Sequence, residues 1–175
     1  MAFQNLQIDT DDLPRAADLE MEPMAPAYQR EVLTRQLIVW GIVFLGSVMP
    51  YLLSPSWVVL RDFPALPPLA VMFLAALIIP LKIKQARVRA IAVREHDVAY
   101  RSGLFFRKTV ILACNRVQHI EVSSGPLQRR FGLVSLKFFT AGGSSVDLKV
   151  DGLMRDRAEQ LRAYILDHSA SRGER

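Results

Sequence analysis

The sequence has one cysteine and three histidines in 175 residues, and neither residue type forms a recognisable site. With Cys114 alone, one chain can form no intramolecular disulfide and no thiolate metal site. His96, His119 and His168 lack a second ligand at helical or strand spacing, which a metal site requires. Ser123–Gly125 lacks the strand–turn–helix context of a nucleophilic serine, and neither a P-loop nor a dinucleotide fingerprint occurs. These absences predict a protein that is not an enzyme, with no cofactor, no metal and no small-molecule substrate.

Charge is absent from two long stretches of the chain. Residues 36–60 contain no Asp, Glu, Lys or Arg over 25 residues, and residues 63–81 contain none over 19. About 20 apolar residues in a helix span the hydrocarbon core of a bilayer. We therefore predict a two-helix transmembrane hairpin over residues 30–87, with its helices at about 37–53 and 65–81. The alternative, a helical hairpin buried in a soluble protein, requires more covering surface than the rest of the chain supplies.

The charges that are present are unevenly distributed. Residues 1–29 hold six acidic residues, one basic residue and three prolines. Such a composition is typical of a disordered segment, so we predict a disordered, acidic cytoplasmic tail over residues 1–29. An acidic arm that binds the basic remainder of the chain, or a partner, is the alternative interpretation.

A basic cluster follows the second apolar stretch. Five basic residues lie between positions 82 and 94 with no acidic residue among them, whereas the two residues between the stretches include one base. The excess of Lys and Arg on cytoplasmic flanks predicts that both termini are cytoplasmic. The cluster lacks the interleaved aromatic residues of a nucleic-acid platform, so no nucleic acid is expected as a partner.

The pattern after residue 88 is typical of an antiparallel β domain, which we place at residues 88–168, with a flexible tail at 169–175. Short apolar or alternating runs separated by turn signals predict strands at 90–93, 97–101, 105–112, 117–122, 134–140 and 145–150. Residues 153–167 have the apolar periodicity of an amphipathic helix, for which Asp151 is a plausible N-cap. Such a helix can close the open end of an antiparallel barrel. Cys114 is expected to pack as a small apolar residue.

Local motifs in this region resemble one known family. They are Tyr100–Gly103 with Arg107, Arg116–Ile120, Gly125–Leu133 and Thr140–Gly142. In this order and spacing they resemble the bacterial pleckstrin-homology-like (PH-like) domain family, in its YdbS-like membrane branch, over about residues 94–167. One departure is Ala113, which stands where the family usually has a proline.

The resemblance implies a membrane helical hairpin followed by a mainly-β PH-like barrel or sandwich. That domain has about six to seven antiparallel strands and one C-terminal capping helix. The resemblance also implies a multi-pass protein of the bacterial inner membrane, acting without catalysis as a cytoplasmic protein-interaction or scaffold module. Its expected partner is another membrane protein, either a larger relative with several PH-like domains or a second copy of the chain.

Two groups of polar residues are candidate sites. Because the cytoplasmic leaflet is negatively charged, basic residues beside the membrane are candidate lipid-headgroup contacts: Lys82, Lys84, Arg87, Arg89, Arg107 and Lys108. The alternative is that these charges only set the membrane topology. Arg116, Gln118, Arg129 and Arg130 bracket a Gly-Pro bend, where they could form a structural hydrogen-bonded network or contact a partner.

Two further functions remain open from the sequence. One is an anionic-lipid-sensing module, and the other is an accessory subunit of a membrane transport or resistance complex. A stand-alone transporter is disfavoured because the two apolar stretches contain no charged residue that could form an ion or proton path.

Overall fold

Two long apolar helices begin the fold. The computed structural model describes residues 20–53, 63, 65–140 and 146–170, apart from the side chains of 168–170. Helix α1 spans Pro26–Leu53, helix α2 spans Leu66–Arg87, and the two helices pack against each other. In the most apolar 18-residue window of each helix, no residue is buried inside the protein. Such exposure suits helices that face lipid and disfavours the alternative of a hairpin buried in a soluble protein.

Both helices extend beyond the predicted spans on the side of the β domain. Helix α1 begins at Pro26 rather than near residue 37, and α2 continues to Arg87 rather than ending near residue 81. Proline suits the first turn of a helix, because the N–H groups of that turn make no hydrogen bond within the helix and proline therefore loses none. Helix α2 also carries prolines at its start. The extensions join the membrane helices to the domain.

The β domain is built from two antiparallel sheets. Within the described ranges the sheet orders are β1-β2-β3-β4 and β5-β6-β7. The strands are β1 (Glu22–Pro23), β2 (Ala90–Val93), β3 (Asp97–Ser102), β4 (Lys108–Ala113), β5 (Val117–Ser123), β6 (Leu133–Thr140) and β7 (Leu148–Met154). A short helix, α3 (Pro126–Arg130), connects β5 to β6, and α4 (Arg155–Ala170) ends the fold. The predicted hairpin, antiparallel strands and C-terminal helix are therefore confirmed. Ser123–Gly125 does lie between a strand and a helix, contrary to the sequence prediction, but neither serine has the positive φ of a strained nucleophile turn.

The hydrophobic core lies between the two sheets and under α4. Leu136 and Phe138 of β6 are fully buried. Ala158, Leu161 and Ile165 of α4 are buried at helical spacing, so one face of this helix covers the core, as in a PH-like sandwich. Cys114 is buried in the same core, which confirms its predicted role.

Part of the predicted tail belongs to the fold, which corrects the sequence prediction for residues 20–29. Strand β1 pairs with β2, and Met24 and Tyr28 are buried in the core together with Val32 and Ala86. The core therefore begins before residue 88, where the sequence placed the domain boundary. Two isolated apolar residues in an acidic segment give no periodic signal, because their burial depends on a distant strand. Residues 1–19 of the predicted tail and the predicted loop at 54–62 lie outside the described residues.

The last helix also begins later than predicted. Strand β7 continues through Asp151 and Leu153, and α4 starts at Arg155. Asp151 is therefore not an N-cap. Gly152, with a φ of 87°, lets the strand pass close to α1.

Candidate functional site: the membrane-facing end of the domain

The turn between β3 and β4 presents two aromatic side chains beside a membrane helix. Gly103 has a φ of 96°, and a Cβ there would overlap the Phe106 carbonyl oxygen, so this tight turn requires glycine. Phe105 and Phe106 are 78% and 92% exposed. Together with Ile78 and Leu81 of α2, they line a cavity of about 510 Å³. The turn thus lies beside the last apolar turns of the second membrane helix.

A second segment of the domain lies beside the other membrane helix. Pro126 and Leu127 of α3 share a cavity of about 420 Å³ with Ile38 and Val39 of α1. Both of these α1 residues, like Ile78 of α2, fall inside the predicted membrane spans. The domain therefore reaches the apolar part of the helix pair at two places, one on each helix.

The basic residues predicted to contact lipid cluster at this end of the domain, with one exception. Lys82, Lys84 and Arg87 are exposed on the last turns of α2, and Arg87 Nε donates to Gln29 Oε1 at 3.0 Å. Residues 107 and 108, also basic, are exposed directly after Phe106. The structure brings these five side chains to the same end of the domain as the exposed aromatic turn.

Arg89 is the exception, because its guanidinium points into the domain. Its side chain is 22% exposed and donates to the Tyr28 hydroxyl at 2.5 Å and to Asp151 Oδ2 at 3.4 Å. The guanidinium also lies 5.6 Å from the centroid of the Tyr28 ring, and its charge acts on the hydroxyl of Tyr100, whose pKa burial raises. The prediction that Arg89 contacts headgroups is corrected, because the side chain is engaged inside the domain by the half-buried Asp151 carboxylate and the Tyr28 hydroxyl.

Asp151 is the centre of a polar network that joins both sheets to α1 and to Arg89, which follows the end of α2. Its Oδ1 accepts from Ser135 Oγ at 2.7 Å and lies 3.0 Å from Lys149 Nζ. Gln128 Nε2 donates to Ser135 Oγ at 3.0 Å, and Gln128 Oε1 accepts from the Gly125 N–H at 3.0 Å. We call the set Tyr28, Arg89, Tyr100, Gln128, Ser135 and Asp151 the junction network.

The charges around Asp151 also set its ionisation. Burial by itself raises the pKa of this carboxyl, but hydrogen bonds from Ser135 and Lys149 and the positive charges of Lys149 and Arg89 outweigh it. The pKa of Asp151 is therefore lowered from its ordinary value. The carboxylate is ionised at neutral pH and holds the guanidinium of Arg89 in place.

The bend residues predicted as a network do not bond to one another. Arg116, Gln118, Arg129 and Arg130 are all exposed, and among the described residues none of their side chains joins another of the set. The network near the bend is built instead by Gln128, Ser135 and Asp151. Arg129 and Arg130 lie exposed at the end of α3, and their contact with a partner stays a prediction.

Several residues of this site carry a weak signal or none in the sequence. Two adjacent phenylalanines beside Arg107 and Lys108, after a Ser-Gly turn, could have indicated an exposed aromatic turn. Tyr28 and Ser135 could not have been found, because their partners lie far away in the chain. Across the described ranges, no three His, Cys, Asp or Glu side chains are grouped so as to hold a metal ion.

Two lipid-facing helices joined through a polar network to a two-sheet, helix-capped domain define a membrane-anchored protein of the PH-like class. The chain belongs to the bacterial PH domain family, whose model matches residues 38–169. It is similar to the transmembrane protein YdbS of Bacillus subtilis (strain 168), at 34% identity over 73 residues. That alignment covers 42% of this chain and 44% of YdbS, so the chain matches less than half the length of this relative. No solved structure matches the chain.

Proposed function

We propose that this chain is a non-enzymatic protein of the bacterial inner membrane that holds its PH domain against the cytoplasmic leaflet and binds anionic headgroups there. The observation that carries the proposal is the aromatic turn, where Phe105 and Phe106 project beside α2 and are followed by Arg107 and Lys108. Exposed aromatic and basic side chains beside the end of a membrane helix suit the boundary between headgroups and acyl chains.

The expected energies are sufficient for a domain that is already anchored. Burial of one phenylalanine side chain contributes about 1.5–3 kcal/mol. Each lysine or arginine near an anionic surface contributes about 1 kcal/mol. Because α2 keeps the aromatic turn beside the bilayer, the turn has a high effective concentration at the membrane surface. Contacts of modest energy are therefore enough to keep it bound there.

The topology belongs to the same proposal. The basic flank of α2 favours the cytoplasmic side for the domain and for both termini. The excess positive charge would then face the anionic leaflet, and the aromatic turn would enter it from the same side.

We expect a fluorophore at position 106 to report insertion into the bilayer. The full chain would carry Cys114→Ala and Phe106→Cys, labelled with an environment-sensitive dye and reconstituted in vesicles. The expected result is quenching by lipids brominated near the headgroup, stronger in phosphatidylglycerol than in phosphatidylcholine because Arg107 and Lys108 are attracted to negative charge. Adding Arg107→Gln and Lys108→Gln should reduce the difference between the two lipids, because only the other cations of this end remain.

The matched control for this measurement is Val146→Cys in the same background. Val146 is 39% exposed and lies near Asp147, at the end of the β6–β7 pair opposite to Ser135 and Asp151. A dye there should not be quenched. Equal quenching at positions 106 and 146, or none at 106, contradicts the proposal.

Protein interaction is a second candidate function, favoured by the outer edge of β4. Among the described strands β4 pairs only with β3, and Ile111 on it is 48% exposed. A free strand edge can accept a strand from a partner, which here would be a larger PH-domain relative, another subunit of a membrane complex or a second copy.

We expect a partner bound in this way to co-purify with the full chain in mild detergent and to be lost with Ile111→Lys. A charged residue on an edge strand opposes pairing with a further strand, and lysine is the residue that natural edge strands use in this way. Phe106→Ser, a change on the aromatic turn, serves as the matched control and should retain the partner. A partner retained by both variants contradicts the β4 interface.

A further inference from the structure

A polar cleft opens between α1, α3 and the outer face of the β5-β6-β7 sheet. Its cavity has a volume of about 520 Å³. Polar side chains from α1, α3 and the sheet line it together with apolar surface, and the polar ones that matter here are Arg35, Ser124, Lys137 and Lys149. The cleft is separate from the aromatic turn, which lies beside α2.

Three cations and one carboxylate line this cleft, and each cation is paired with a carboxylate. The side chains of Arg35 and Lys149 are 50% and 52% exposed, whereas that of Glu31 is only 2% exposed. Arg35 lies 3.5 Å from Glu31, Lys149 lies 3.0 Å from Asp151, and Lys137 donates to Glu121 at 2.8 Å. Each ammonium has three N–H groups and the guanidinium has five, so donors remain for an anion after these pairs are made.

The same cleft continues into the membrane. Arg35, Pro126 and Leu127 line both the polar cavity and the apolar cavity of about 420 Å³ that reaches Ile38 and Val39. With the domain against the leaflet, the polar part would lie at the depth of headgroups and the apolar part at the depth of the first acyl carbons. Serine hydroxyls, three cations and an adjoining apolar groove match the phosphate, the glycerol and the chain of one phospholipid.

We infer that this cleft binds a single anionic phospholipid of the surrounding leaflet. Its phosphate lies between Arg35, Lys137 and Lys149, and one acyl chain runs along Leu127 and Val39. The inference rests on the proposed function, because the lipid reaches the cleft only if the domain lies against the leaflet. The bound lipid would bridge α1 to the second sheet, close to the junction network.

The test uses the full chain purified in mild detergent. Binding of dioctanoyl phosphatidylglycerol, dioctanoyl phosphatidylcholine and glycerol phosphate would be measured by native mass spectrometry. We expect one phosphatidylglycerol per chain, bound at least about fivefold more tightly than phosphatidylcholine, as one additional charge interaction implies. Glycerol phosphate should bind more weakly still, because it lacks the acyl chains that fill the groove.

Two variants probe the cleft in different ways. Lys149→Gln removes one cation and should lower phosphatidylglycerol affinity about fivefold. Ser124→Trp fills the cleft without breaking an ion pair, so it should abolish binding even if Lys149→Gln alters the fold. Arg162→Gln, which removes an exposed cation on α4 away from the cleft and the aromatic turn, is the control and should leave one-to-one binding unchanged.

Each outcome has a distinct meaning. Equal affinity for the two lipids, or binding unaffected by both cleft variants, overturns the inference. Glycerol phosphate binding as tightly as the lipid would make this a soluble-phosphate site and also overturns it. The dye at position 106 reports the aromatic turn alone. If the cleft does not bind lipid, the dye should still be quenched. If the domain does not lie against the leaflet, the quenching at position 106 should be absent.

Discussion

Replacing Gly152 by alanine is expected to detach α1 from the β domain and to lower the stability of the full chain by about 3 kcal/mol or more. A Cβ at this position would lie inside contact distance of the Tyr28 ring, and the φ of 87° is strained for any residue with a side chain. Because Tyr28 belongs to both the core and the junction network, its displacement also exposes Arg89. The measurement is the thermal unfolding midpoint in mild detergent, followed by far-UV circular dichroism.

The matched control is Gly46→Ala in the membrane part of α1. No atom of the described structure lies within 4 Å of a Cβ built there, so the substitution should be neutral or slightly stabilising in a helix. Adding Tyr28→Ala to Gly152→Ala should remove the overlap between the new Cβ and the Tyr28 ring, and so recover part of the α1 contact with the domain. The backbone strain at position 152 would remain. An unchanged midpoint for Gly152→Ala would contradict close contact between α1 and β7.

Replacing Arg89 by alanine is expected to cost about 2–4 kcal/mol, at the lower end of the range for a buried pair because the side chain retains some exposure. The change leaves the Asp151 carboxylate without its guanidinium and removes the donor to the Tyr28 hydroxyl. Chemical denaturation of the full chain in detergent at neutral pH measures the loss.

The cost should depend on pH in one direction. The pKa of Asp151 is lowered in the folded protein, so its contribution is present above the unfolded pKa of about 3.9 and disappears as the pH falls through the folded value. The difference between wild type and Arg89→Ala should therefore shrink in acid below about pH 4. Arg94→Ala, which breaks an exposed pair with Asp97 at the opposite end of β3, should cost less than about 1 kcal/mol. Equal losses for the two variants would show that the junction network adds nothing to stability.

The amino-acid sequence determined the elements of this protein because their signals are local. Charge-free stretches of membrane-spanning length predict α1 and α2 without knowledge of their neighbours. Alternation and turn residues likewise predicted all six strands after residue 88 to within a few residues, and the apolar periodicity predicted α4. Five members of the predicted basic set are exposed, because surface charge depends little on exact contacts, whereas Arg89 was wrongly included and lipid contact stays a prediction.

The tertiary structure alone decided how the membrane hairpin meets the domain. Strand β1 and the burial of Tyr28 depend on β2 and Gly152, which are distant in the chain, so residues 20–29 carry no periodic signal of their own. Arg89 looked like its basic neighbours in the sequence, yet only its position before β2 points it at Asp151. The cleft beside α1 has the same origin: Arg35, Leu127 and Lys149 come from three separate elements, and no local pattern could show that folding places them around one cavity.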